Sequence, residues 1–208
     1  MKREMPQLRP ITERRRKRMI EVLEQRQPDL TVVIENVHDP HNISAVLRSC
    51  DAVGVATVHL VYTVEERPRL NRVVASGALR WLEIVDHPSI QACYDALRNQ
   101  GFRIYATHLD DNRLELFDLN LAQPSALVFG NEKRGVSPEA VAAADATMVI
   151  PMMGMVQSLN ISVACAVTLY EALRQRKAAN LYQQPRLPTS EIDTRLDGWL
   201  RRERRIIP

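Results

Sequence analysis

Three short stretches of this 208-residue chain set polar side chains beside glycine or apolar neighbours, the mixture that a small-ligand site needs. The first is Asn42-Ile-Ser-Ala-Val-Leu-Arg48-Ser49. On a helix Ser44 and Arg48 share a face, and an arginine among aliphatic residues either snorkels to water or presents a planar fork to a phosphate or carboxylate. The second is Phe129-Gly-Asn-Glu-Lys-Arg-Gly135. Gly130 allows close approach to the backbone and Gly135 suits a left-handed turn, while Asn131 and Glu132 supply directional polar groups. The competing reading is a tight turn with a charged tip. The third is Ile150-Pro-Met-Met-Gly-Met-Val-Gln-Ser-Leu-Asn160, where Gln157, Ser158 and Asn160 stand beside methionines that either pack a core or flank a ligand.

These stretches need elements to hold them. Strand-like runs at Thr31–Asn36, Thr57–Val61, Leu82–Val85, Phe102–Ala106, Ala126–Phe129 and Thr147–Ile150 alternate with helical patterns. Those patterns span Ser44–Val53, Leu70–Leu79, Ser89–Asn99, a short piece after Pro138, and Ser158–Arg176 with Ser158 as its N-cap. Alternation of this kind predicts an α/β fold with a mainly parallel sheet flanked by helices. Two of the three polar stretches follow the last strands, where open α/β sheets bind ligands at strand C-terminal ends. Short terminal helices are expected outside this body, at Thr12–Arg26 with Thr12 as N-cap and at Ser190–Arg205. The division is therefore a basic N-terminal extension over 1–26, a body over 27–180 and a basic C-terminal tail over 181–208, joined through a Pro-containing crossing at Leu181–Pro188.

Several classes of function drop out. No G-x-G-x-x-G, no P-loop and no G-x-S-x-G elbow occurs, which argues against dinucleotide enzymes, P-loop NTPases and serine hydrolases. His38 and His41 have no third ligand near them in sequence, so no metal is expected there. Cys50, Cys93 and Cys165 are odd in number and far apart, pointing to a reducing, cytoplasmic setting, and no apolar run is long enough for a membrane span. The net charge of +3 hides a strong asymmetry. Residues 1–20 hold eight basic side chains against two acidic ones, and residues 195–208 hold five arginines against two acids, so the body between them is net acidic. Basic arms on an acidic body suit a polyanion such as nucleic acid, or else are solvated helix faces.

Taken together and in this order, the three stretches resemble the three motifs of the SPOUT superfamily of RNA ribose methyltransferases, of the TrmH type. The likeness extends over roughly residues 15–180 through Gln27-Pro-Asp-Leu-Thr31, Asp51-Ala-Val-Gly54 and Ala106-Thr-His-Leu-Asp110. It implies a SPOUT domain with a C-terminal deep trefoil knot, a homodimer whose active site is shared between subunits, and S-adenosylmethionine as methyl donor with S-adenosylhomocysteine as product and no metal. Within the family the chain is most similar to enzymes that methylate the 2′-hydroxyl of guanosine 18 in the tRNA D-loop.

Carried over residue by residue, the resemblance puts Thr107, Gly130, Ile150, Met152, Ser158 and Leu159 at the cofactor. It makes Arg48 the key catalytic group, with Asn42, Glu132, Ser158 and Asn160 orienting it and the substrate. The basic arms, through Arg14, Arg15, Arg16, Lys17, Arg18, Arg201 and Arg202, would hold tRNA by phosphate contacts, which position without reading sequence. Two other functions stay open at this point: ribose methylation of another tRNA nucleotide or of ribosomal RNA, and a non-catalytic RNA-binding role. A pure binder has no need of Arg48, Glu132, Ser158 and Asn160 together.

Overall fold

The run Leu-Thr-Val-Val-Ile-Glu is too apolar on both faces for a strand with one side in water, and it forms a central strand, β1 (Leu30–Glu35), buried along its whole length. A computed structural model describes residues 11–68, 77–110 and 113–204. In chain order these comprise α1 (Glu13–Glu24), β1, α2 (Pro40–Val53), β2 (Thr57–Val61), β3 (Glu83–His87), α3 (Ile90–Asn99), β4 (Arg103–Thr107), β5 (Leu114–Glu115) and β6 (Ser125–Phe129). There follow α4 (Pro138–Ala143), β7 (Ala146–Val149), α5 (Ile161–Ala178) and α6 (Thr189–Arg204). The seven strands make one sheet in the order β3-β2-β1-β6-β4-β7-β5, with every pairing parallel.

Period-2 alternation along the central strands divides the core. Val32, Ile34, Leu127 and Phe129 face α2 and α5, whereas Val33, Ala126 and Val128 face α3 and α4. The chain is therefore wound on both faces of a parallel sheet, as the alternation of strands and helices predicts. β6 enters between β1 and β4, so the C-terminal ends of β4, β6 and β7 lie side by side.

Several boundaries depart from the expectations. Helix α2 begins at Pro40 rather than Ser44, because the Asp39 side chain caps the His41 N–H at 2.8 Å and proline is well placed at the first helical position. Helix α5 begins at Ile161, capped by Asn160 rather than Ser158: Asn160 Oδ1 accepts from the Ser162 N–H at 2.8 Å. The helix expected over Leu70–Leu79 falls mostly outside the described residues, and its described end is a single 3-10 turn at Ala78–Arg80. Strand β5, only two residues long, had no signal of its own in the sequence.

The terminal helices pack on each other and on the body. The sequence of α1 reads as basic almost all round, yet Met19 and Leu23 are buried against Leu196 and Trp199 of α6. Trp81 meets Trp199 edge to face, with ring centroids 5.0 Å apart. Arg26, beyond α1, is fully buried and donates to Val55 O, Asp51 and Trp81 O, tying the N-terminal arm to the body. The crossing after α5 is likewise strapped down, Tyr182 Oη donating to Val53 O at 2.7 Å and the buried Leu187 anchoring its far end.

One buried cation holds the end of α5 in place. Arg176 has no exposed surface and donates to Leu121 O, Gln27 Oε1, Asp29 Oδ1, Asp29 O and Gln123 O at 2.6–3.1 Å. Burial alone would raise the Asp29 pKa, but hydrogen bonds from Arg176 and Arg186 hold that carboxyl below its ordinary value. Replacing Arg176 with Met removes one of the two cationic partners of a half-buried carboxylate and the donor to three carbonyls, so we expect a loss of about 3–5 kcal/mol in urea unfolding. Lysine should rescue little, because one ammonium does not span acceptors spread around a planar fork. A loss below about 1 kcal/mol would mean that this cluster contributes no more than a surface ion pair.

Candidate functional site

The loops leaving β4, β6 and β7 surround a cavity of about 630 Å³, well within the range of small-ligand pockets. Thr107, Gly130, Ile150, Met152, Ser158 and Leu159 all line it, so the residues that the resemblance assigns to a cofactor lie around one cavity. Phe129, Met148 and Ala164 add an apolar floor, and Asn131, Glu132, Gln157 and Asn160 add polar groups. His108 and Leu109, from the family-like stretch Ala106–Asp110, complete the wall after β4. Thr107 donates its hydroxyl to Val128 O at 3.0 Å, which fixes β4 against β6 beside the cavity.

The loop after β6 explains both of its glycines. Asn131 N–H donates to Gly135 O at 2.9 Å and Gly135 N–H to Asn131 O at 2.8 Å, closing a tight hairpin with Gly135 at φ +70°. A Cβ on Gly130 would stand 2.2 Å from the backbone of Gly135 and Val136, so the hairpin closes only over a glycine. Gly130 was expected to admit a ligand; the closer constraint is the loop's own chain folding back on it. Asn131 stiffens the hairpin from within, accepting from the Lys133 and Arg134 N–H groups and donating to Asn36 O at 2.8 Å.

Glu132 then reaches across to the start of α2. It accepts from the His38 and Asp39 N–H groups and from Asn42 Nδ2 at 3.0 Å. Burial by itself would raise the Glu132 pKa, but the hydrogen bonds from Asn42 and from backbone N–H groups keep it below the usual carboxylate range. The anion also sits at a helix N-terminus, where the peptide dipoles favour negative charge. Asn160 continues the chain by donating to Asn42 Oδ1 at 3.1 Å while its own oxygen accepts from Ser162. Glu132, Asn42 and Asn160 therefore form one linked series joining α2, the β6 loop and the start of α5.

Two of the expected active-site residues sit differently. Ser158 is exposed on the loop and lines the cavity without joining the series. Arg48 does not line the cavity. It is exposed on α2 and makes no hydrogen bond or ion pair among the described residues. Its helical neighbour Ser44 is buried and donates to Pro40 O, so the shared face carries no second ligand group.

Sequence reasoning missed Asn36, a non-glycine residue at φ +50° whose side chain accepts from the Thr63, Val64 and Glu65 N–H groups. This fixes Glu65, which pairs with Arg134 of the β6 loop. An asparagine directly after a strand was the available signal, since asparagine tolerates left-handed backbone.

The basic arms present most of their charge outward. Arg14, Arg16, Lys17, Arg18 and Arg201 are exposed, while Arg15 pairs with Glu203 at 3.2 Å and lies over the Trp81 ring. Arg202 donates to Arg80 O at 2.6 Å and remains exposed. Lys2, Arg3, Arg9 and Arg205 lie outside the described residues.

Comparison with known proteins agrees with this geometry. Residues 29–170 match the SpoU rRNA Methylase family. A tRNA (guanosine(18)-2′-O)-methyltransferase of Thermus thermophilus is 48% identical over 195 residues, covering 94% of this chain and all of that protein. The crystal structure of the A. aeolicus TrmH/SpoU tRNA modifying enzyme superposes with a TM-score of 0.86 at 40% identity, covering 94% of this chain and 98% of that one. The SpoU methyltransferase AviRb from Streptomyces viridochromogenes, solved in complex with AdoMet, aligns with a TM-score of 0.64 at 30% identity over 74% of this chain and 59% of its own. The family match spans the sheet and all three polar stretches, and the chain belongs to the SpoU rRNA Methylase family.

Proposed function

We propose that this protein transfers a methyl group from S-adenosylmethionine to the ribose 2′-hydroxyl of guanosine 18 in tRNA. The observation that carries the reading is the convergence of Gly130, Ile150, Leu159, Glu132 and Asn160 on one cavity in a chain 48% identical to a guanosine-18 methyltransferase. The cavity fits the cofactor on its own chemistry. An apolar floor of Phe129, Met148 and Ala164 suits the adenine, and the polar rim of Asn131, Gln157 and Asn160 suits the ribose and amino-acid portions. When bound, the cofactor supplies a methyl group already activated on a sulfonium sulfur.

The chain's own residues have to place the hydroxyl for attack, while its proton passes to solvent water. Arg48 is a poor base, because a guanidinium holds its protons far above neutral pH and acts as a donor. We assign it to gripping a phosphate and polarising the ribose, which raises effective molarity at the methyl group. Glu132, Asn42 and Asn160 orient the start of α2 and the rim of the cavity.

Because Arg48 lies away from its own cavity, we place it in the cavity of a second copy, in a homodimer of the kind the family resemblance implies. Val163, Val167 and Tyr170 form an exposed apolar stripe at helical spacing on α5, and Met153 and Met155 in the preceding loop are 94% and 99% exposed. We extend the same reading to a deep trefoil knot in the β6-to-α5 region and to tRNA held by the α1 and α6 arms. Val167→Lys should shift the protein from dimer to monomer in sedimentation equilibrium and abolish methylation. A Val167→Lys protein that remains dimeric would move the interface elsewhere.

The test of the whole reading is a methylation assay with purified protein, methyl-labelled cofactor and unmodified tRNA transcript, followed by mapping of the modified ribose. Product at guanosine 18 is expected. Product at another nucleotide, or only on ribosomal RNA, would overturn the target, and tight RNA binding without methylation would overturn the enzyme.

A further inference from the structure

Outside the cofactor cavity, the β2–β3 edge of the sheet gathers three metal-ligating side chains. In the parallel ladder His59 lies opposite Val85 and His87 opposite Val61, so both histidines fall on the face covered by α3. His59 Nδ1 and His87 Nε2 are 2.8 Å apart, with the rings stacked at 5.1 Å and inclined by 27°. Cys93, in the first turn of α3, brings its Sγ down on the pair, and the three ligand atoms lie within 4.8 Å of one another. His59 and Cys93 are buried, whereas His87 is partly open to water and leaves a way in.

We propose that His59, His87 and Cys93 bind one zinc ion per chain, with a water molecule as fourth ligand on the His87 side. The donor set decides the class of metal. Two imidazole nitrogens and a thiolate suit a borderline-soft divalent cation and do not suit magnesium or calcium, which take oxygen ligands. Tetrahedral zinc requires nitrogens about 3.3 Å apart and a nitrogen–sulfur separation of about 3.6 Å, given bond lengths near 2.0–2.1 and 2.3 Å. The imidazoles therefore part by roughly 0.5 Å and the α3 turn settles inward by up to about 1 Å, within the reach of rotamer adjustment. Burial holds the His59 pKa down to about 4 with help from His87, and the hydrogen shared between Nδ1 and Nε2 moves to the far nitrogen of its own ring as zinc enters, freeing both lone pairs. Binding releases the Cys93 thiol proton to solvent and forms a zinc–thiolate bond, with no change of oxidation state.

The site is remote from methyl transfer. β2 and β3 form one end of the sheet and β4 and β7 lie toward the other, with β1 and β6 between them. Zinc here would pin α3 to the sheet edge, raising the melting temperature by roughly 5 °C or more at a hundredfold excess over Kd. Its removal should leave methylation of tRNA unchanged at moderate temperature.

Cobalt(II) is the probe, titrated into the untagged full-length protein under reducing conditions. We expect one equivalent to give the intense visible bands of tetrahedral cobalt together with a thiolate-to-cobalt charge-transfer band, both erased by zinc. Cys93→Ser should lose the charge-transfer band, and His87→Gln, at the open edge, should lose tetrahedral intensity. Cys50→Ser should retain both, which separates this site from the buried Cys50–Cys165 thiol pair. Absence of cobalt bands in the wild-type protein, or their persistence in Cys93→Ser, would overturn the proposal and leave an imidazole pair joined by a hydrogen bond.

Discussion

Arg48→Ala should lose methyl transfer by on the order of 10²–10³-fold in kcat/KM, the loss typical when one charge-stabilising donor is removed from a reaction centre. The structure separates this loss from any effect on folding. Arg48 is exposed and unbonded among the described residues, so its removal should change unfolding free energy by no more than about 0.5 kcal/mol. Binding of tRNA should be nearly unchanged, because most phosphate contacts would come from the exposed cations of α1 and α6. Arg48→Lys should recover little activity, since a point charge does not reproduce a planar two-pronged grip. Retained methylation in Arg48→Ala would sink the assigned role.

Gly130→Ala should weaken cofactor binding roughly tenfold to a hundredfold, because relieving an overpacked site costs about 1–3 kcal/mol and the relief must come from the hairpin that walls the cavity. The clash is with backbone atoms of Gly135 and Val136, so no side chain can swing aside to absorb it. Gly154→Ala is the control: a Cβ there meets nothing within 4 Å, and binding measured by calorimetry should match the wild type. Equal affinities for Gly130→Ala and the wild type would mean that the hairpin does not wall the cofactor site. Mixing the two variants also tests the shared active site. A heterodimer of Arg48→Ala with Gly130→Ala carries one intact cavity facing one intact Arg48, so activity should reappear on mixing. If Arg48 served its own cavity, mixing would restore nothing.

Much of the scaffold was legible in the residues because the physics involved is local. β2 was read at its observed bounds, Thr57–Val61, since an aliphatic run between turn-forming residues has few alternatives in an α/β chain. The α1 cap at Thr12 followed from a short side chain that satisfies a free N–H group of the first turn. The cap of α5 was misplaced by two residues because Ser158 and Asn160 are both good caps, and only the bond from Ser162 N–H selects Asn160.

The cofactor set, Thr107 to Leu159, was named through the resemblance, and without it the residues left both a charged turn and a ligand loop open. Residue types and spacing alone settled an α/β body with basic ends, because propensity, patterning and charge act over a few neighbouring residues. Bringing Glu132 to Asn42 across 90 positions, and Asn160 to Asn42 across 118, depended on β6 entering the sheet beside β1. The same is true of Cys93 over His59 and His87, and of Arg48 outside the lining of its own cavity. Such contacts are set by strand order and by which face of the sheet each helix covers, and no local pattern in a single chain encodes strand order.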